Sequence, residues 1–141
     1  MKYTITFWND PNKKVKIEGE TFKDAFELAV RTKTDFSYAE LNYAELNYAK
    51  LNDAKLNGAK LNGAKLNDAE LNDGTDMDYS SFPLWCGSFR VKATLRLAAQ
   101  LAYHFCRIDF SKCPEAKALQ QLPEMKALAN KFHRVDECGG I

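Results

Sequence analysis

Alanine and leucine recur on a five-residue beat through the middle of the chain, in seven consecutive Ala-x-Leu-Asn-x units running from Ala39 to Asp73. Thr34-Asp35-Phe36-Ser37-Tyr38 fits the same frame, with Thr in the alanine slot and Phe in the leucine slot, so eight units occupy residues 34–73. Neither regular element can use this beat. On an α-helix, leucines five apart are rotated by about 140° and share no face. On a straight strand the side chains alternate with period two, so successive leucines would point to opposite sides. A chain that bends once per unit escapes both problems. Ala and Leu, two apart, then point inward from a short extended piece while the residue between them points out. The Asn-x pair makes the corner. Asn42, Asn47, Asn52, Asn57, Asn62, Asn67 and Asn72 suit it because Asn bonds its own backbone and tolerates turn dihedrals, and Gly58 and Gly63 follow at no steric cost.

The outward residues indicate how many units make one circuit. Four units per circuit stack Asp35 on Lys55, Glu40 on Lys60, Glu45 on Lys65 and Lys50 on Glu70, and all four pairs are opposite in charge. Three units per circuit would set Lys50 against Lys65 but leave four other pairs opposite in charge, so the preference for four is modest. A helical alternative exists, because Ala, Glu, Lys and Leu are strong helix formers. The recurring Asn, the two glycines and the missing 3.6-residue period oppose it.

On either side the pattern changes. Tyr3, Ile5 and Phe7 alternate with Thr4, Thr6 and Trp8 as in a half-buried strand, Asn9-Asp10-Pro11-Asn12 turns the chain, and Val15 and Ile17 mark a return strand. Thr21 then caps a helix that presents Phe22, Ala25, Phe26, Ala29 and Val30 on one face, giving a ββα unit over residues 1–32. Beyond the repeats the frame breaks at Gly74-Thr75-Asp76-Met77-Asp78. Met77 falls one position out of register, and Phe82, Leu84, Trp85 and Phe89 form an apolar patch expected to lie across the open end of the stack. Thr94 is expected to cap a helix to about Arg107 with Leu97, Leu101 and Phe105 on one side. Pro114 and Pro123 mark further helix starts, and Met125, Leu128, Ala129 and Phe132 face inward from the last helix.

The eight units resemble the pentapeptide-repeat family, whose pattern is Ala-(Asp/Asn)-Leu-x-x. The resemblance implies a right-handed, four-sided β-helix. The expected fold class is therefore a mainly β solenoid of about two coils over residues 34–78. A ββα cap over residues 1–33 precedes it and a helical segment over 79–141 follows. This chain carries Glu or Lys where the family usually has Asp or Asn.

The chain has 141 residues, 45% of them hydrophobic and 12% aromatic, which permits a real core. No apolar run is long enough to span a bilayer and Met1 to Thr6 leads into no signal-peptide core, so a cytoplasmic location in a bacterial host is expected, with free thiols. Net charge is +1, yet residues 1–33 carry 7 basic and 5 acidic groups, residues 34–78 carry 4 and 9, and residues 79–141 carry 9 and 5. An acidic middle between basic ends is a poor direct nucleic-acid binder, because phosphate binding wants clustered Lys and Arg.

Candidate chemistry is sparse. Cys86, His104, Cys106, Cys113, His133 and Cys138 are the candidate zinc ligands, but they lack the tight Cys-x2-Cys pairs of zinc modules. Buried free cysteine is the commoner fate. No nucleophile elbow or glycine-rich loop accompanies them, so neither an enzyme nor a cofactor is expected. Asp68, Glu70, Asp73, Asp76 and Asp78 form an acidic run that departs from calcium-loop spacing, and Asp53 would stack on Asp73 as a like charge. These carboxylates, with Tyr38, Tyr43 and Tyr48 at successive corners, are the candidate binding residues; a solvated acidic rim and corner aromatics packed on the cap are the plainer alternatives.

Some pentapeptide-repeat proteins act as DNA mimics that occupy the DNA channel of topoisomerases, so the resemblance implies a binding protein. Phe82 to Ser88, Gln100 to Cys106 and Phe132 to Gly139 look similar to uncharacterised pentapeptide-repeat proteins of phages and integrated elements in Gram-positive bacteria. The expected function is a non-enzymatic, phage-encoded inhibitor of a host nuclease, topoisomerase or CRISPR effector, in the manner of anti-CRISPR proteins or DNA mimics. The alternatives are an oligomerising scaffold that dimerises through its C-terminal helices and a zinc-stabilised C-terminal module.

Overall fold

The computed structural model describes residues 1–141, which divide into two compact units, Met1–Lys92 and Ala93–Ile141. The first unit opens with strands β1 (Lys2–Phe7) and β2 (Asp10–Glu18), paired antiparallel from Lys2 opposite Glu18 to Thr6 opposite Lys14, with an irregularity before Phe7. Helix α1 (Phe22–Arg31) follows. Its start is a reciprocal cap: the Thr21 hydroxyl accepts from the Asp24 backbone N–H at 3.1 Å and donates to the Asp24 carboxylate at 2.8 Å. Phe26 on its inner face is fully buried and stacks on Phe36 with ring centroids 4.3 Å apart, which closes one end of the repeat interior.

From Asp35 onward the chain makes a tight turn in every unit. The leucine carbonyl accepts from the N–H three residues on, as from Leu41 to Ala44 at 3.1 Å and from Leu61 to Ala64 at 3.0 Å. Between turns the residue midway between Ala and Leu pairs with the next tier as a single parallel bridge: Asp35 with Lys55, Glu40 with Lys60, Glu45 with Lys65, Lys50 with Glu70; Ala39 in addition bridges Phe7 of β1, antiparallel. The four parallel bridges are the charge pairs that the twenty-residue spacing predicts. Leu41, Leu46, Leu51, Leu56, Leu61 and Leu66 are each at most 2% exposed, and most of the alanines are buried beside them, while the residues between them face outward.

The expected fold class is corrected. Regular β structure is confined to the two-stranded β1-β2 sheet, the other regular elements are helices, and residues 34–73 contain no strand at all, so the chain is not a mainly β solenoid. The reason lies in the length of the unit. With the corner taking most of five residues, one residue per unit is left to bridge, too few for the ladder of hydrogen bonds that makes a strand.

Two local expectations also change. The left-handed backbone conformation falls on the last residue of the unit, after Asn or, in the first unit, after Ser37, and never on Asn: Tyr38, Tyr43, Tyr48, Asp53 and Asp68 have φ of 58 to 65°, and Gly58 and Gly63 have 66°. Nor does the frame decay after Asn72. It resumes with one residue inserted, so that Lys55 bridges Asp76 and Lys60 bridges Ser81; Thr75 takes the alanine slot and Met77 the leucine slot, both buried. Glu70 then bridges Lys92, completing a third tier. Trp85 is anchored by its indole N–H to the Ala64 carbonyl at 2.8 Å. Leu84 and Phe89, expected to close the stack, are instead 89% and 57% exposed.

The second unit is helical: α2 (Leu95–Arg107), α3 (Pro114–Gln120), α4 (Pro123–Ala129) and α5 (Val135–Cys138). Both prolines occupy first-turn positions, as expected, because a missing N–H there leaves no bond unmade. Thr94 sits at the start of α2 without a side-chain capping bond. Ala102 and Tyr103 of α2 pack on Ala129 and Phe132, with Cys106, Met125 and Leu128 around them; Leu101, expected inward, is 47% exposed. Buried Gln120 ends α2 by donating to the Phe105 and Ile108 carbonyls at 2.7 and 2.8 Å. No helix is long and apolar enough to cross a membrane.

Candidate binding surface

The corner tyrosines are placed by the turn geometry. A residue with φ near +60° projects its side chain along the stack, toward the corner twenty residues later. Tyr38 therefore lies over Gly58 and Tyr43 over Gly63; a Cβ at either glycine would come within 2.5 Å of the ring above it. Tyr38 is further held edge-on by Trp8 at 5.5 Å, whose indole N–H donates to the Gly58 carbonyl at 2.8 Å. Tyr43 and Tyr48 remain 77% and 65% exposed, and Tyr79, in the next tier, 71%. Tyr38 and Tyr43 thus each have a glycine twenty residues on to receive the ring, whereas Tyr48 has Asp68 at that offset.

The asparagines do work that the five-residue pattern alone leaves hidden. The Asn42 side-chain oxygen accepts from the Asn62 backbone N–H at 2.9 Å, Asn47 from Asn67 at 3.0 Å, and Asn67 from Phe89 at 2.6 Å. They tie successive tiers together at the corners, alongside backbone bonds such as those from the Tyr43 N–H to the Asn62 carbonyl at 2.9 Å and from the Tyr48 N–H to the Asn67 carbonyl at 2.8 Å.

The acidic run is not a bare rim. Arg90 forks onto Asp68, with Nε 3.0 Å from Oδ1 and a terminal nitrogen 2.9 Å from Oδ2. Hydrogen bonding from Arg90 holds the Asp68 carboxyl below its ordinary range. Lys92 lies 4.0 Å from Glu70. The Asp76 carboxylate accepts the Asp78 backbone N–H at 2.9 Å, and Asp78 is buried. Asp53 accepts from the Asn72 amide at 3.2 Å and lies against Gly74, where a Cβ would fall 1.9 Å from its Oδ1; Asp73 is exposed. Arg90 and Lys92 are the residues that sequence reasoning missed. The signal was present in the sequence as two cations twenty-two residues beyond Asp68 and Glu70, an offset that an uninterrupted frame does not suggest.

The six Cys and His residues are not gathered. Cys86 lies exposed in a 3-10 turn, Cys106 packs beside the Tyr103-Phe132 core, Cys113 precedes α3 with its thiol 3.7 Å from Glu115, and Cys138 is exposed. His104 and His133 both rest on the Phe132 ring, at 5.7 and 4.9 Å. Nowhere do three His, Cys, Asp or Glu side chains converge in a set able to hold a metal ion.

Residues 32–73 match the family model described as pentapeptide repeats, in eight copies. No curated protein and no solved structure matches the chain.

Proposed function

With a central segment built of pentapeptide repeats as the premise, we propose that this chain is a non-enzymatic protein-binding module that inhibits a nucleic-acid-acting protein of a bacterial host cell. Pentapeptide repeats form structural and interaction surfaces as a class, and the observation that carries the finer reading is the outward face of the tiers. It bears exposed tyrosines at its corners among an excess of carboxylates, a combination that offers aromatic contact area and complementary charge to a basic surface. A nuclease, topoisomerase or CRISPR effector has such a surface where it holds its phosphate backbone. The inhibitor is then of the anti-CRISPR or DNA-mimic kind, encoded by a phage and acting in the cytoplasm, with no cofactor.

The test is capture from a bacterial lysate with the tagged full chain, followed by assay of the captured protein on nucleic acid. Recovery of an enzyme of this class whose activity the chain suppresses supports the proposal. Recovery of none sinks it.

A second reading, a scaffold dimerising through the helical unit, is favoured by Leu95, Leu101, Leu119 and Leu122, each 44–47% exposed there. Light scattering at micromolar concentration decides it, since a monomer rules it out.

A further inference from the structure

Beside β1 the first tier leaves an open pocket of about 560 Å³, within the size range of sites that take a ligand or a partner's side chain. Tyr3, Phe22 and Tyr43 contribute aromatic walls, Tyr3 and Phe22 packed edge to face at 5.4 Å, and Ile5, Leu41 and Ala44 also line it. Three carboxylates, Glu20, Glu40 and Glu45, share the lining, and Glu40 accepts from the Thr6 hydroxyl at 3.5 Å. Nearby cations are directed elsewhere: the Met1 amino group donates to the Gly19 carbonyl at 3.0 Å, and Lys60, opposite Glu40 in the bridge ladder, lies over the Trp8 ring at 5.3 Å. Lys65 reaches Glu45 at 3.2 Å and offsets one charge, which leaves Glu20 and Glu40 uncompensated by any ion pair.

We infer that this pocket receives an arginine side chain of the partner protein. Carboxylates beside aromatic walls reject anions and acidic peptides. They suit a group that is flat, permanently charged and weakly hydrated, one able to fork onto a carboxylate while stacking on a ring. Guanidinium has all of these properties, and a lysine ammonium lacks the planar fork. The inference deepens the protein-binding reading above and rests on it for the source of the arginine.

The probe is the capped tripeptide acetyl-Ala-Arg-Ala-amide, titrated into the isotope-labelled full chain and followed by NMR at Ile5, Leu41 and Ala44. Saturating shifts with a dissociation constant on the order of 1 mM are expected for one buried side chain. The norleucine, glutamate and lysine analogues should bind at least about fivefold more weakly, and the triple variant Glu20→Gln/Glu40→Gln/Glu45→Gln should lose binding by a similar factor while keeping its thermal midpoint. Equal binding of any analogue, an unaffected triple variant, or no saturation overturns the assignment. The two proposals fail separately. A captured host enzyme that the triple variant binds undiminished removes the pocket from the interface and leaves the inhibitor reading standing. An arginine peptide that saturates the pocket while the lysate yields no target does the reverse.

Discussion

Gly58→Ala isolates what the corner glycines contribute. At φ +66° an alanine must enter the left-handed region, which costs an L residue about 1–2 kcal/mol; the reduced freedom of the unfolded chain returns about 0.4–1, leaving roughly 1 kcal/mol against the variant. The new methyl also lands 2.5 Å from Cδ1 and 2.7 Å from Cε1 of Tyr38, so the ring must swing away. That movement breaks the edge-on contact with Trp8, worth about 0.5–1.5 kcal/mol. The total is about 2 kcal/mol, which for a unit of this size lowers the thermal midpoint by roughly 10 °C. Four proteins make the assay: the parent, Gly58→Ala, Tyr38→Ala and the double variant, unfolded in urea and by heat under far-UV circular dichroism. With the ring removed, the steric share disappears and Gly58→Ala should cost only about 1 kcal/mol, giving a coupling near 1 kcal/mol. An equal cost in both backgrounds refutes the stacking argument, and no cost in the parent refutes the backbone argument as well.

Other perturbations follow from the same geometry. Leu56→Ala, at a site 1% exposed, should cost about 2–5 kcal/mol in urea unfolding. Asn47→Ala removes the acceptor for the Asn67 N–H and should lose about 1 kcal/mol, whereas the exposed Asn52 should tolerate alanine at a few tenths; equal losses would count against the tier-to-tier role. Thr75→Val deletes a buried hydroxyl that donates to the Leu51 carbonyl at 2.8 Å and accepts from the Asn72 N–H, and should destabilise by about 1–3 kcal/mol. Because Arg90 depresses the Asp68 carboxyl, its stabilising contribution is present above the ordinary value of 3.8 and is lost as pH falls through the lower folded value. Arg90→Ala should raise the Asp68 titration midpoint toward 3.8, as NMR can read directly; an unmoved midpoint would show that the fork is not made in solution.

The buried Ala and Leu of each unit were legible because their spacing excludes both helix and straight strand. The pairing at twenty residues was legible only by a narrow margin, because at fifteen a single like-charged pair, Lys50 with Lys65, stands against it. The extent of strand was not: one residue per unit pairs, and pairing length depends on how much backbone the corner consumes, which side-chain pattern does not encode. Asn47 looked like a local turn former because its sequence neighbours are the only partners a linear reading supplies, yet its amide serves a backbone one tier away. Gly74 is the same problem in another form. Only the presence of Asp53 beside it explains an inserted residue without a side chain, and that contact links positions twenty-one apart. The pairing of Asp68 with Arg90 inherits the resulting offset and was hidden with it. In the helical unit, Pro114 and Pro123 announced their helices through chemistry that is entirely local, whereas the placement of Leu101 depended on which face of α2 met α4.

The inserted Gly74 has a consequence for how this molecule can change length. Upstream of it every parallel bridge spans twenty residues, and those that cross or pass it span twenty-one or twenty-two. Duplicating or deleting four whole units before Asn72 preserves each column and moves the pocket beside β1 relative to the exposed Leu84 and Phe89 by one layer, about 4.8 Å. A change across Gly74 in the same twenty-residue step leaves a side chain facing Asp53 and misaligns Arg90. The upstream repeats therefore behave as an adjustable ruler with fixed graduations, and the segment after Gly74 as the stop at its end.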